Sequence, residues 1–246
     1  LSNASCVSET PVNFDFAPVT ISSSYVPALK ELLAEGEAMK ANGASSAEYD
    51  EVVAAINPDA IEGDGLTECQ AVEAALVQLC KSQKADGSDF TRAIVNPFID
   101  GADGWTTERP VGGNGPLLNG NSFEYWAGNA SDRENASFDY WQEITGLPNG
   151  TYKLGADMLN DTDNESGASF AESCGLYATA GETTVSAYVT ENGRSLKPYE
   201  TSEIEVTDGT LRIGVKNLED KMAARWVAAD NFQLFAIGEV QTPATY

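Results

Sequence analysis

Histidine is absent from this sequence of 246 residues, and only 14 Lys and Arg stand against 38 Asp and Glu. Without imidazole there is no Ser-His-Asp or Cys-His nucleophile system, and no zinc site built on His. The shortage of basic residues leaves a formal net charge of −24. That argues against a nucleic-acid partner, because a phosphate backbone is neutralised by clustered Lys and Arg. It argues equally against docking on an anionic membrane. Long apolar runs are also missing. No stretch approaches the ~18 apolar residues of a membrane span, and no charged-then-apolar leader precedes the first elements. The start, Leu1-Ser2-Asn3-Ala4, is compatible with a removed export signal. What remains is carboxylate chemistry, hard-cation binding and aromatic recognition. The 42% hydrophobic content suffices for real cores, and the length fits one large domain or two small ones.

Cysteine is sparse, with 4 residues. Cys69 and Cys80 are 11 positions apart, which on a helix gives one face but ~16 Å of rise. A disulfide needs Cα atoms within ~7 Å, so these two do not bridge each other on a helix. Cys6 and Cys174 remain as partners for either. The spacing is not that of a dense disulfide scaffold, and buried free thiols are the expectation.

Residues 24 to 84 have helical periodicity. Ser24 is placed as an N-cap, Val26, Leu29, Leu32, Leu33 and Met39 form an apolar stripe, and Asn42-Gly43 is a stop. Ser45 with Glu48 makes a capping box before Tyr49, Val52, Val53 and Ile56, and Pro58 ends that helix. Thr67 with Gln70 makes another, opening a helix whose stripe holds Cys69, Val72, Leu76, Leu79 and Cys80. Three short amphipathic helices predict a small antiparallel bundle.

From about residue 91 the period becomes two. Strands are expected over 93–99, 122–126, 138–144, 151–158, 175–180, 184–189, 202–206, 210–215 and 226–237. Asp208-Gly209 is a hairpin signal, and Pro148-Asn149-Gly150 and Asn192-Gly193 mark further turns. Strands without intervening helices make an antiparallel sandwich or jelly roll. The predicted class is therefore α+β with segregated parts: an extended segment 1–23, a three-helix bundle over 24–88 and a β-sandwich over 89–240. Residues 84–89 (KADGSD) are the polar boundary. Residues 12–21 (VNFDFAPVTI) alternate as well, which leaves open whether they add a strand or lie along the bundle.

Three motifs carry a resemblance. They are Asn96-Pro97-Phe98-Ile99-Asp100-Gly101 with Gly104-Trp105-Thr106; Trp141-Gln142-Glu143-Ile144 leading to Gly146-Leu147-Pro148-Asn149-Gly150-Thr151-Tyr152; and Ala229-Asp230-Asn231-Phe232-Gln233-Leu234. In this order they resemble the first-strand, central and closing-strand patterns of galactose-binding-like carbohydrate-binding modules, especially the group around families 4, 9 and 22. The helical part resembles bundles found beside such sandwiches in secreted proteins of glycan-degrading gut bacteria. The resemblance implies a secreted or cell-surface protein that binds a carbohydrate. It also implies a structural Ca2+ held by an acid from the first strand and one from the last, here Asp100 and Asp230. Oxygen ligands suit that hard cation.

Sugar rings stack apolar C–H faces on Trp and Tyr while polar side chains take the hydroxyls. Tyr125, Trp126 and Trp141 are the candidate platform, with core packing as the competing role for each. Arg133 and Arg225 are candidates for hydroxyl contacts. In the strand carrying Trp141, alternation puts Tyr140, Gln142 and Ile144 on one face and Asp139, Trp141 and Glu143 on the other. Residues 161–172 imitate a calcium loop, but the glycine falls one place late and strands flank it. Asp139 and Glu143 lie ~13 Å apart along a strand, too far for paired glycosidase carboxylates. The sequence thus predicts a non-catalytic protein for a neutral oligo- or polysaccharide, with the helical part open to a partner protein. The alternative is a structural or protein-interaction module of a glycan-utilisation system without its own sugar site.

Overall fold

The computed structural model describes residues 24–111, 114–118, 122–126, 137–161, 174–217 and 225–238. The helices come first: α1 Val26–Ala41, α2 Ala47–Ala54 and α3 Leu66–Lys81. Leu29, Leu32 and Met39 of α1 and Tyr49 of α2 are buried with Val72, Leu76 and Leu79 of α3, as the apolar spacing requires. All three helix starts differ from the sequence reading. Tyr25, not Ser24, is the N-cap of α1, and Ser24 Oγ accepts from Val26 N at 3.3 Å from one position earlier. Ser46, not Ser45, caps α2, its Oγ accepting from Tyr49 N at 3.3 Å. Helix α3 opens after Gly65, whose φ of 84° turns the chain so that Asp64 Oδ1 accepts from Leu66 N at 3.1 Å. Thr67 consequently lies inside the first turn.

Eleven strands follow among the described residues: β1 Thr106–Val111, β2 Asn114–Leu118, β3 Phe123–Trp126, β4 Ser137–Thr145, β5 Gly150–Asp161, β6 Cys174–Ala180, β7 Thr183–Tyr188, β8 Gly193–Glu200, β9 Ile204–Val206, β10 Thr210–Asn217 and β11 Trp226–Ala236. They form two antiparallel sheets, one ordered β1-β4-β10-β6-β7 and the other β2-β3-β11-β5-β8, with β9 also on β5. The Asp208-Gly209 turn is not a hairpin. It carries the chain from β9 in one sheet to β10 in the other, and Pro148-Asn149-Gly150 makes the same crossing between β4 and β5. Local turn chemistry specifies a reversal but not whether the flanking strands pair. Burial of Leu211, Val206, Leu154 and Ile144 on facing sheets decides that they do not.

The expected strand over 93–99 is absent. Thr91–Ala93 form a 3-10 turn, and Asn96 and Ile99 take left-handed φ values of 51° and 48°. Asn96 stabilises this coil: its Oδ1 accepts from Asp100 N at 2.9 Å, its Nδ2 donates to Gly101 O at 3.0 Å, and its carbonyl accepts from Trp105 Nε1 at 3.0 Å. The coil lays Ile99 and Trp105 into the sandwich core. Trp105 stacks on Tyr140 at 4.8 Å, Tyr140 on Phe123 at 4.6 Å, and Phe138 on Tyr125 at 4.9 Å.

One hydrophobic cluster runs from the helices into the sandwich. Its bridge is the segment that directly follows the polar stretch 84–89. Phe90 is fully buried, meets Tyr152 edge-on at 5.3 Å, and pairs with β11 through Phe90 N to Leu234 O at 2.7 Å. Arg92 grips α1 through two bonds to Glu35, at 2.8 and 2.7 Å. No helix among the described residues is long and apolar enough to cross a membrane.

Candidate functional site

Parity along β3 divides the proposed platform. Phe123 and Tyr125 face the core, while Glu124 and Trp126 face outward. Tyr125 is 0% exposed and stacked on Phe138, so it presents no ring face to a ligand and belongs to the core. Trp126 is 46% exposed. It stands in register with Trp226 on β11, and Trp226 stands in register with Asp161 on β5. These three sit at strand ends, where Trp126 closes β3, Trp226 opens β11 and Asp161 closes β5. The Arg225 guanidinium lies 5.5 Å from the centre of the Trp126 ring, and its backbone N–H donates to Asp161 O at 2.8 Å. Asp161 is nearly buried and accepts from Arg194 Nε at 2.7 Å. The structure thus groups Trp126 and Arg225, adds Trp226, Asp161 and Arg194, and leaves the indole partly exposed, with the Arg225 guanidinium over its ring and further polar groups beside it. An apolar ring beside a placed carboxylate and guanidinium is the chemistry that a sugar's C–H face and hydroxyls require.

Trp141 lies on the other sheet, on the opposite outside of the sandwich. Alternation along β4 holds: Phe138, Tyr140, Gln142 and Ile144 are buried, and Trp141 is on the outer face with Asp139 and Glu143. Trp141 is nevertheless only partly exposed, because the Arg212 guanidinium covers its ring at 3.9 Å. Its Nε1 is buried and has no acceptor among the described residues. Arg212 also donates to Asp139 Oδ2 at 2.8 Å and to Tyr177 Oη at 3.1 Å, and Tyr177 Oη donates to Asp139 Oδ1 at 2.7 Å. Burial, then the Asp139 carboxylate, raises the Tyr177 phenol, so it stays a donor. Lys216 covers the Tyr177 ring at 4.2 Å. Cations already occupy the aromatic faces here. Sequence reasoning missed Tyr177 and Arg212, although Arg212 and Lys216 alternate with the apolar Leu211, Ile213 and Val215.

Arg133 lies outside the described residues, as does most of the 161–172 acidic run. Asp100 and Asp230 are brought near each other, with Asp157 opposite Asp230 in register. Burial, then the Asp100 and Asp157 carboxylates, raises the Asp230 pKa, against a 2.6 Å hydrogen bond from Asn231 N. Asn231 takes φ 54° and its Nδ2 donates to Asp157 Oδ2 at 2.9 Å. This bulge re-aims the strand after Asp230. Among the described residues, no group of three or more His, Cys, Asp or Glu side chains could hold a metal ion. A cation here would therefore need Asp100, Asp230 and backbone oxygens together.

A cleft of about 1330 Å³ separates α1 and α3 from residues 83–100, with Glu35, Glu73, Asp86 and Arg92 among its walls. Phe98 on its rim is 56% exposed. None of the proposed platform aromatics lines it. Cys69, Cys80 and Cys174 are free thiols and buried.

No protein-family model matches the chain, and no curated protein matches it. Solved structures do. One is the carbohydrate-binding module TmCBM61 in complex with beta-1,4-galactotriose, at 20% identity and TM-score 0.42, covering 58% of this chain and 97% of that one. A second is the CBM22-1 xylan-binding domain of Paenibacillus barcinonensis Xyn10C, at 10% identity and TM-score 0.40, covering 63% of this chain and 98% of that one. A third is the CBM22-1-GH10 portion of Clostridium thermocellum xylanase 10B complexed with xylohexaose. There the identity is 12%, the TM-score 0.39, and the coverage 65% of this chain and 30% of that one. Each of these matches covers about three fifths of this chain at 20% identity or less.

Proposed function

We propose that this chain is a non-catalytic carbohydrate-binding protein of the cell exterior, and that it stacks a sugar ring on Trp126. The observation that carries the reading is the open Trp126 indole, 46% exposed and in register with Trp226, beside Arg225 and the Asp161–Arg194 pair. An exposed Trp has a large apolar face to cover, and a pyranose C–H face covers the part of it that the Arg225 guanidinium leaves exposed. Asp161 and Arg225 take hydroxyls, which favours a neutral oligo- or polysaccharide over an anionic one in a chain of net charge −24. The three helices are read as a bundle on α3, with their outer surfaces available to a partner protein.

Calcium is the finer part of the proposal. Asp100 and Asp230 supply the charged oxygens, and the raised Asp230 pKa supports the reading, because a bound cation offsets the carboxylate repulsion that contributes to it. The ion's work is to tie the coil 94–105 to β11.

A neutral-glycan array followed by calorimetry tests the function. Wild type should bind at least one neutral glycan, and Trp126→Ala should weaken it roughly five- to thirtyfold, the loss of one stacking contact of ~1–2 kcal/mol. Circular dichroism of the variant should be unchanged, since the ring is outside the core. Absence of any glycan ligand, or equal affinity in the variant, sinks the reading.

A further inference from the structure

Single exposed apolar residues are ordinary on a protein surface, but neighbouring ones on the rim of a cleft mark a contact surface. The cleft between the helices and residues 83–100 has such a rim. On the left-handed coil, Val95 is 51% exposed and Phe98 is 56% exposed, although Ile94 and Ile99 beside them are buried. The helical side adds Ala38 of α1 and Ala74 and Val77 of α3, the alanines exposed and Val77 half-buried. The volume of about 1330 Å³ exceeds the ~300–1,000 Å³ of ordinary small-molecule pockets and suits an extended segment.

Charge says what that segment carries. Arg92 is held by Glu35 through two hydrogen bonds, at 2.8 and 2.7 Å, so its charge is already offset. Glu73 stands 4.0 Å from the same guanidinium with its side chain 54% exposed. Asp86 and Asp89 add two exposed carboxylates, against Lys84 alone. The balance is negative even with Asp100 left to the cation. Acids cover the whole chain, so charge by itself does not single out this face; its conjunction with the apolar rim does. This chain has no such occupant to offer. Outside the described residues, no segment of the sequence has more Lys and Arg than Asp and Glu, and a second copy brings another −24.

We propose that the cleft takes an extended segment of a partner polypeptide in which Lys or Arg stand among aliphatic or aromatic residues. Its apolar side chains cover Val95 and Phe98, and its cations pair with Glu73 and Asp86. The exposed amides of Asn42 and Gln70 are of the kind that bond a peptide backbone. A polyamine carries the charge but leaves the apolar rim uncovered. This partner surface is independent of sugar binding at Trp126, which does not line the cleft.

Fluorescence anisotropy on the full chain at ~0.15 M salt, where attraction beyond ~8 Å is screened, uses labelled peptides of about twelve residues, ~40 Å when extended. One alternates Lys with Leu, one Lys with Ser and one Gln with Leu. The Lys-Leu peptide should bind saturably, roughly tenfold or more tighter than either of the others, and slow amide exchange over 94–99. Glu73→Gln with Asp86→Asn should weaken it about tenfold, and Phe98→Ser roughly fivefold or more. Glu182→Gln with Glu205→Gln removes two exposed charges elsewhere and should leave it unchanged. All these side chains are exposed, so melting temperatures should match wild type. No peptide binding, equal binding of the Lys-Ser peptide, an equal loss in the Glu182→Gln/Glu205→Gln protein, or protection elsewhere overturns the proposal. Glycan affinity should be the same in Phe98→Ser as in wild type, and its loss would put the glycan, not a peptide, in the cleft. Peptide binding by a chain that binds no glycan would uphold this site while the sugar reading fell.

Discussion

The side-chain amide of Gln142 makes both of its hydrogen bonds to the backbone of Val95: Oε1 accepts from Val95 N, and Nε2 donates to Val95 O, each at 3.0 Å. Gln142 is buried on the core side of β4, so it joins the sandwich interior to the left-handed coil that delivers Asp100 and Trp105. Gln142→Leu keeps the volume but leaves two backbone groups without partners. At about 1–3 kcal/mol for a buried group left unpaired, a loss near 2–3 kcal/mol is expected. Thermal unfolding should fall by roughly 5–10 °C for a chain of this size. An unchanged melting temperature would show that water replaces the amide at no cost.

The Arg212 network and the Trp126 face make opposite predictions. Arg212→Leu removes the partner of Asp139 and Tyr177 and uncovers Trp141, and should cost about 2 kcal/mol in denaturant unfolding. Sugar affinity should not change, because this face lies across the sandwich from Trp126. Trp141→Ala should likewise spare binding while lowering stability. If Trp141→Ala abolishes glycan binding with its fold intact, the sugar face is on the β1–β7 sheet instead.

Much of this architecture is legible because burial imposes a period. Leu29, Val72, Leu76 and Leu79 betray their helices, and Phe138, Tyr140 and Ile144 betray β4 and with it the outward placement of Trp141. The same rule in β3 separates Trp126 from Tyr125, but a four-residue strand of three aromatics and one acid contains no aliphatic residue to fix which parity is inward. Residues 93–99 mislead because apolar content alone does not distinguish a strand from a buried coil. The deciding feature is Asn96, whose short amide tolerates left-handed φ and bonds its own loop. Strand β8 escapes notice for the converse reason: Arg194, Lys197 and Pro198 look unlike a strand, yet an exposed edge is where such residues are tolerated. The Trp126–Trp226–Asp161 row joins positions up to 100 residues apart. Only strand register creates it.

The three described cysteines, Cys69, Cys80 and Cys174, should be chemically silent in the folded chain. Burial pushes the Cys80 thiol up to about 11, and Cys69 is raised by burial and nearby acids. Near pH 8 the thiolate fraction of Cys80 is then on the order of one part in a thousand, against roughly a quarter for an unperturbed thiol. Mass spectrometry after brief iodoacetamide treatment should find Cys69, Cys80 and Cys174 unmodified in native buffer and modified in denaturant. Stoichiometric native labelling of Cys80 would contradict its buried position under Asp89.

Asp230 separates an acid held against its preference from a metal ligand. Its pKa is raised, so the folded chain binds the proton more tightly than the unfolded chain. That contribution to stability is fully present below the ordinary carboxyl range and is lost as pH rises through the folded value. In metal-free buffer at neutral pH, Asp230→Asn should therefore melt slightly above wild type, since the amide still accepts from Asn231 N and carries no charge toward Asp100 and Asp157. The gap should close as pH falls below the carboxyl range. Added calcium should reverse the order, raising the wild-type melting temperature and leaving Asp230→Asn unmoved. Melting curves that respond equally to calcium in both proteins would take the ion away from Asp230, while the metal-free pH dependence would still report the half-buried carboxyl.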